Sequence, residues 1–333
     1  MEKKIHKSDR IFIAGSSGMV GGAIKRNLLK SGYGDKLKGG NLLTPLRNDL
    51  NLLDYEKVKR WFQINNPDVV IIAAAQVGGI MANSTKATKF ILNNLKIQNN
   101  IIENAWNNKT RRLLFLGSSC IYPRNCMQPI KEEYLLSGSL ETTNQWYAVA
   151  KIAGIKLCEA LRIENGFDTI CLMPTNLFGP GDNYDPYNSH VMASLIRKFH
   201  EASKKKSPYV VCWGSGYPLR EFMHVDDLAN AVLFCLENWD PDNINAPKDD
   251  KGDKLFYLNV GTGKDISIKE LANKIANATN FKGEILWDKN KPDGTPKKQL
   301  DISRINTLGW KAEIDLEVGI LKTIESFLQE NKN

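Results

Sequence analysis

A short apolar run, Ile11-Phe-Ile-Ala14, leads straight into Gly15-Ser-Ser-Gly18-Met-Val-Gly21, and a helical stretch from Met19 to about Lys30 follows. Strand, glycine turn and helix in that order open a βα unit, and each glycine has its own use. The first permits a tight turn. The second lets backbone approach a pyrophosphate at the helix N-terminus, and the third allows close helix–sheet packing. Further strand-length apolar runs occur at Val69–Ala74, Arg112–Gly117 and Thr169–Met173, with a second strand expected at Asn41–Thr44. Helical patterns at Tyr55–Asn65, Ser84–Asn107 and Thr143–Asn165 separate them. Continuous apolar strands alternating with helices predict an α/β fold, a Rossmann-type doubly wound parallel sheet covered on both faces.

The rhythm changes after Pro174. Gly179–Asn188 is polar and rich in turn residues, and a helix is expected from about Ser189 to Lys204. Asp240–Gly252 has almost no apolar content and reads as a mobile surface insertion. Helical patterns return at Ser267–Thr279 and Leu316–Glu330. The expected division is a nucleotide-binding domain over 1–174, with segments around 209–238 crossing back to it. Residues 175–333 would then form mainly a smaller, mixed α/β substrate domain.

A chain of 333 residues can bury a large core. The most apolar stretch, Val69 to Ala82, is interrupted by Gln76, Gly78 and Gly79 and is too short to cross a bilayer. Met1-Glu-Lys-Lys carries no apolar leader, so a cytoplasmic protein is expected. Six cysteines without a Cys-x-x-Cys pair predict reduced thiols rather than a disulfide framework, and no metal site is expected. The formal charge of +8 is scattered, without interleaved aromatic and basic residues, which argues against nucleic acid. It suits a substrate and a cofactor that both carry phosphates.

Tyr147 and Lys151 stand at i and i+4 of one helix. An ammonium close to a phenol is expected to lower the tyrosine pKa, so that Tyr147 donates a proton to a ketone oxygen as hydride arrives. Ser118 or Ser119, at the end of the Arg112–Gly117 strand, can polarise the same oxygen. Arg47, after the second strand, would face the 2′-phosphate of a dinucleotide, which favours NADP(H). Asp35 lies before that strand. Tyr-x-x-x-Lys alone is common and would suit a half-buried tyrosine and a surface lysine. Only with the glycine loop and the serine turn in order does it point to an enzyme.

The chain resembles the extended short-chain dehydrogenase/reductases, and among them the epimerase-reductases that act on GDP-4-keto-6-deoxy-D-mannose. The likeness covers nearly the whole sequence. It is carried by Ala75–Ile80, Leu116-Gly-Ser-Ser-Cys-Ile-Tyr-Pro123, Tyr147-Ala-Val-Ala-Lys-Ile-Ala-Gly154, Met173–Leu177, Asn188-Ser-His-Val191, Trp213–Gly216, Arg220–Asp227 and Lys291–Pro296. The resemblance implies that Cys120 and His190 move protons at C3 and C5, and that NADPH then reduces C4 with Ser118, Tyr147 and Lys151. Thiols with thiolate character and imidazoles are chemically suited to those roles. It implies Gly15, Ser16, Ser17, Gly18, Met19, Val20, Gly21, Arg47, Ala74, Pro174, Thr175, Asn176, Leu177 and His190 at the cofactor, beside Ser118, Tyr147 and Lys151. It implies Lys198, Trp213, Arg220 and Lys298 at the GDP-sugar, with Trp213 stacking on guanine and Arg220 and Lys298 on the diphosphate. A homodimer built on two long helices per subunit, Ser84–Asn107 and Thr143–Asn165, is also implied.

Two positions depart from the pattern. Ser16-Ser17 stand where relatives carry an arginine, and Lys198 replaces a substrate arginine, with Arg197 before it. Among competing functions, a 4,6-dehydratase needs an acidic pair where Cys120-Ile121 stand. A simple 4-epimerase needs no Cys/His pair. An inactive NADP-binding sensor has no use for a tuned phenol.

Overall fold

The computed structural model describes residues 4–330 except Tyr187 and Pro292. Those two fall inside the polar 179–188 segment and the 291–296 motif, so that part of each lies outside the described residues. In chain order the elements are β1 (Arg10–Ala14), α1 (Met19–Lys30), β2 (Asn41–Leu43), α2 (Tyr55–Asn65), β3 (Val69–Ile72), α3 (Ile80–Thr85), α4 (Ala87–Asn107), β4 (Arg112–Leu116), α5 (Gln145–Asn165) and β5 (Asp168–Pro174). They continue as β6 (Asn176–Phe178), α6 (Val191–Lys204), β7 (Tyr209–Trp213), β8 (Leu219–His224), α7 (Val225–Asn238), β9 (Tyr257–Val260), β10 (Asp265–Ser267), α8 (Ile268–Ala278), β11 (Glu284–Asp288), β12 (Lys297–Lys298), α9 (Ser303–Thr307) and α10 (Leu316–Glu330).

The central sheet has six strands in the order β2-β1-β3-β4-β5-β9, all parallel. Side chains alternate across it as the pleat demands. Ile11 and Ile13 join a core with Ala23, Leu28 and Leu228, from α1 and α7. Phe12 and Ala14 face Phe62, Ile101 and Ile155, from α2, α4 and α5. A sheet filled on both faces explains the unbroken apolar strands; each fully buried Ile, Leu or Phe stabilises by about 1.5–3 kcal/mol. Its sixth strand, Tyr257–Val260, comes from well beyond the 209–238 segment.

A third cluster lies after Pro174, where Phe199 of α6, Ile275 of α8 and Phe327 of α10 pack together. Around it β10-β8-β12 form a small mixed sheet with β6 on β8, and β7 pairs with β11. These strands are two to six residues long, too short for periodicity to reveal.

Four expectations shift. The Ser84–Asn107 pattern is two helices, broken at Lys86, where the backbone leaves helical geometry. The helices expected from Thr143 and Ser189 begin at Gln145 and Val191, after Asn144 and His190 as N-caps. The 240–252 insertion, read as mobile, is strapped to the body. Asp240 accepts from Lys4 and Arg162, each at 2.7 Å, and Asp242 from Lys254 at 2.7 Å. Arg304 Nε donates to Lys248 O at 3.0 Å, and Lys131 pairs with Asp250 at 2.6 Å. A polar stretch looks like loose loop in sequence because its partners lie far away in the chain. Arg162 itself is nearly buried and also pairs with Asp168.

Candidate active site

Because β1, β3, β4 and β5 are parallel and in register, their carboxyl ends share one edge of the sheet. The residues that follow them (Gly15, Ala74, Ser118 and Thr175) therefore line one crevice, the usual place for a ligand in such sheets.

At β1 the glycines do different work. Gly15 has φ +86°, and a Cβ there would lie 2.8 Å from the backbone of Ala74. A Cβ on Gly21 would lie 2.1 Å from Gly15 O, so the third glycine seats α1 against the turn. Gly18 is different: an added Cβ meets only Gly15 O, at 3.6 Å. Nothing in the fold requires glycine there, and the residue is exposed. Gly18 is also the N-cap of α1, without a side-chain cap and without an acid in the first turn. The open helix end and bare backbone fit a phosphate-bearing dinucleotide. Gly21→Ala is expected to abolish NADPH binding and to lower the melting temperature, since the Cβ has only backbone to displace. Titration calorimetry and a melting curve check both. Ser16 and Ser17 lie on this turn, Met19 and Val20 begin α1, and Arg47 is exposed in the turn after β2.

Ser118 lies two residues past β4, and its Oγ accepts from Cys120 N at 3.2 Å, capping the single 3₁₀ turn Ser119–Ile121. Tyr147, in the first turn of α5, is hydrogen-bonded to Ser118 and lies near the Cys120 thiol. Burial raises the phenol well above its usual range, the thiol adds to this, and the Ser118 bond opposes it. Lys151 is 3% exposed and donates to Leu116 O at 2.7 Å. Its Nζ lies 5.9 Å from the Tyr147 ring centroid, and burial pulls the ammonium down to about 7. The expected lowering of the Tyr147 pKa by Lys151 is therefore not what the structure has. Desolvation favours the neutral form of both groups.

A lysine depressed in this way binds fewer protons folded than unfolded between about pH 7 and its ordinary value. Stability from this site thus rises with pH across that window and is lowest below it. Lys151→Met removes the buried ammonium. The melting temperature of this variant relative to wild type is expected to be highest at pH 6 and to fall steadily by pH 9; a gap independent of pH contradicts it.

The far wall comes from the small sheet. Lys298 Nζ is 3.7 Å from Cys120 Sγ. Lys298 on β12 is in register with Arg220 on β8. Arg220 donates to Leu219 O at 2.8 Å and Asp293 O at 3.4 Å. Burial lowers its pKa, while Cys120, Glu141 and Asp293 nearby act in the opposite sense. Asp293 in turn holds Ser215 N at 2.7 Å, beside Trp213. Trp213 is 53% exposed at the end of β7, with Lys291 Nζ 5.2 Å and Lys198 Nζ 5.6 Å from its ring. Lys198 donates to Val211 O at 3.2 Å, and its pKa is lowered by burial. A wall of cations thus runs from an open indole to the thiol.

Ser118, Cys120, Tyr147, Arg220 and Lys298 form one connected group. His190 is placed by a separate set of contacts, at the N-cap of α6. Its segment is docked on the Gly78–Gly79 turn, where Gly79 N donates to Asn188 O at 3.2 Å and a Cβ on Gly79 would lie 2.7 Å from Ser189 O. The imidazole keeps accessible surface yet has its pKa lowered by surrounding protein, as on a cleft wall. Pro174 is buried at the end of β5; Thr175 Oγ1 and Asn176 Nδ2 donate to Glu221 O at 3.2 and 2.7 Å, and Leu177 packs on the main core.

Sequence reading missed several supports of this site. Asn94 grips both main-chain groups of Gln76, accepting from N at 2.7 Å and donating to O at 3.1 Å. Glu141, 7% exposed, accepts from Arg124 Nε at 3.2 Å and Thr295 at 3.3 Å. Glu221 is wholly buried beside Arg220. Nothing in the sequence marks these Asn and Glu residues as buried or says which partner each serves, because the groups they hold lie elsewhere in the chain.

A parallel sheet with a glycine cradle and a Ser/Tyr/Lys group at its carboxyl edge defines an oxidoreductase of the short-chain dehydrogenase/reductase class. More narrowly, the chain belongs to the NAD dependent epimerase/dehydratase family, whose model matches residues 11–246. It is 47% identical to a probable GDP-L-fucose synthase 1 from Oryza sativa subsp. japonica, over 97% of this chain and 93% of that one. It is 48% identical to the GDP-L-fucose synthase of Escherichia coli K12, over 96% and 97%. Among solved structures, a GDP-mannoheptose C4 reductase from Campylobacter jejuni with NADP bound superposes with a TM-score of 0.86 at 34% identity, covering 97% of this chain and 99% of that one.

Proposed function

We propose that this protein converts GDP-4-keto-6-deoxy-D-mannose to GDP-L-fucose, by epimerisation at C3 and C5 followed by NADPH-dependent reduction at C4. The observation that carries it is the sharing of one crevice by the Cys120 thiol and the Tyr147 phenol: the phenol and the Cys120 amide both bond to Ser118, and Arg220 and Lys298 wall the thiol. A reductase alone has no use for the thiol. The relatives named GDP-L-fucose synthase support the substrate, and the NADP-bound neighbour supports the cofactor. An acidic pair for dehydration is replaced here by Cys120 and a fully buried Ile121.

NADP(H) would be held by residues 15–21, with Arg47 toward its 2′-phosphate and Ala74, residues 174–177 and His190 along its nicotinamide end; when bound it supplies the hydride for C4. The chain's own residues do the rest. A C4 ketone acidifies the protons at C3 and C5. At C3 and at C5 in turn, Cys120 takes the proton, leaving an enolate, and His190 delivers a proton to the opposite face; the thiol then loses its proton to solvent and the imidazole regains one, which resets the pair. A depressed pKa makes the imidazolium a readier donor. At C4, Ser118 and Tyr147 hold the ketone oxygen, and Tyr147 delivers the proton that turns it into a hydroxyl. Burial keeps the phenol protonated, which is the donating form. The phenolate left behind favours protonation of Lys151, whose pKa near 7 lets it respond. Trp213 stacks on guanine; Arg220 and Lys298 pair with the diphosphate, with Lys198 at its flank.

We also infer a cofactor domain over 1–174 that recruits α7 and β9, and a substrate domain from the remainder of 175–333. A homodimer through α4 and α5 is supported by the exposed Leu92, Trp146, Val149 and Ile163 on those helices. Among the described residues, no helix is long and apolar enough to cross a membrane. A cytoplasmic location follows from where a GDP-sugar and NADPH meet.

The test is direct. Pure protein given the keto sugar and NADPH in heavy water should consume NADPH and place deuterium at C3 and C5. Intact NADPH removes the reductase; product without label removes the epimerase.

A further inference from the structure

Glu221 has no exposed surface, yet no step above uses it. It sits on β8 directly after Arg220. Its Oε1 accepts from Thr262 N at 2.6 Å and Gly263 N at 2.8 Å, and its Oε2 from Leu300 N at 2.8 Å. These donors belong to two separate segments. Thr262–Gly263 follows β9 of the central sheet, and Leu300 lies two residues past Lys298. Gln299 Nε2 closes the ring by donating to Gly263 O at 2.6 Å. A Cβ on Gly261 would lie 2.1 Å from Glu221 Oε1, so glycine leaves the room the carboxylate occupies.

β12 is only two residues long and pairs with β8 at Lys297–Leu219 and Lys298–Arg220; just past it, Gln299 N donates to Gln128 Oε1 at 2.9 Å and Ile130 N to Gln299 O at 2.8 Å, on the side away from β8. Two ladder positions are a weak hold for a strand that must present an ammonium at a fixed place. A buried carboxylate accepting three main-chain N–H groups is a strong one, since charge-assisted bonds in a dry site are about twice as strong as neutral ones. We propose that Glu221 is a positioning residue that fixes β12 and the 262–263 turn onto β8, and thereby sets Lys298 against Arg220 and the Cys120 thiol. It rests on the proposed reading of Arg220 and Lys298 as the diphosphate pair.

The two halves of the site hang on different atoms of Glu221. The side chain holds the substrate arm. The main-chain oxygen receives Thr175 and Asn176 on the cofactor side, and a side-chain substitution leaves that oxygen in place. A positioning role therefore predicts a split that a general packing role does not.

Titration calorimetry with GDP and, separately, NADPH reads the split in wild type, Glu221→Gln and Gly261→Ala. Glu221→Gln keeps one acceptor oxygen but sets an amide donor against either the Leu300 N–H or those of Thr262 and Gly263, and removes the charge. Gly261→Ala drives the carboxylate aside with its charge intact. Each is expected to weaken GDP by about tenfold or more, the loss of one charge-assisted bond, and to leave NADPH within about twofold. Should Glu221→Gln fail to fold, Gln299→Ala loosens the same ring from a half-buried position, and a smaller GDP loss of about threefold is expected. GDP affinity unchanged, or both ligands weakened alike, overturns the proposal. Wild type that binds GDP and NADPH but does not turn over the keto sugar sinks the proposed activity and leaves this split to be read.

Discussion

Tyr147→Phe is expected to reduce NADPH oxidation by about 10²- to 10⁴-fold while deuterium still enters C3 and C5 of the substrate. In the proposed reaction the phenol gives its proton to the ketone oxygen beside Ser118, and a phenylalanine ring fills the same space without that proton. Burial holds that proton firmly, so the phenol arrives at each turnover charged with it. Removing the hydroxyl leaves the contact between Cys120 and Lys298 in place, so the proposed enolate chemistry is expected to continue. The pair of readouts matters more than either alone. Loss of both label and NADPH consumption would mean that Tyr147 supports the whole crevice; retention of NADPH oxidation would mean that another group delivers the proton.

Cys120→Ser is expected to show the reverse order, with label exchange suppressed by about 10²- to 10⁴-fold and overall product falling with it. A hydroxyl has the shape of the thiol but not its acidity, so it is a poor carbon base near neutral pH. Two geometric facts make this position more than a small buried residue. Its amide is pinned to Ser118 Oγ, and its sulfur faces the Lys298 ammonium at 3.7 Å. Of the other five cysteines, Cys158, Cys171, Cys212 and Cys235 are buried, and Cys126, half-buried like Cys120, has its thiol pKa raised by burial. Exchange at the wild-type rate in Cys120→Ser would remove the thiol from the epimerisation. A ketone already epimerised at C3 and C5 offers a further check, because Cys120→Ser should still reduce it.

The parts of this molecule that were legible in the sequence are those whose cause is local. Strand β1, the glycine turn and α1 are adjacent in the chain, and the need for glycine at positions 15 and 21 follows from contacts within that unit and its neighbouring strand. The parallel sheet followed from repetition of the same unit. The strap at 240–252 was misread for the opposite reason. Its carboxylates answer Lys4, Lys131, Arg162 and Lys254, and the first three of these lie far away in sequence. The Tyr147–Lys151 relation was half legible. The helical spacing put the two on one face, but the anchoring of Lys151 to Leu116 O is tertiary, and it holds the ammonium 5.9 Å from the ring centroid. Glu221 was invisible because a charged residue in a short strand looks like surface until the fold closes over it.

Cys120 and Lys298 lie 178 positions apart in the chain, and a two-residue strand carries the second to the first. The glycine cradle, by contrast, is built from contacts within one unit and its neighbouring strand. A mild perturbant that loosens the small sheet should therefore be felt at the sulfur before it reaches the dinucleotide turn, so that epimerisation fades earlier than nucleotide binding.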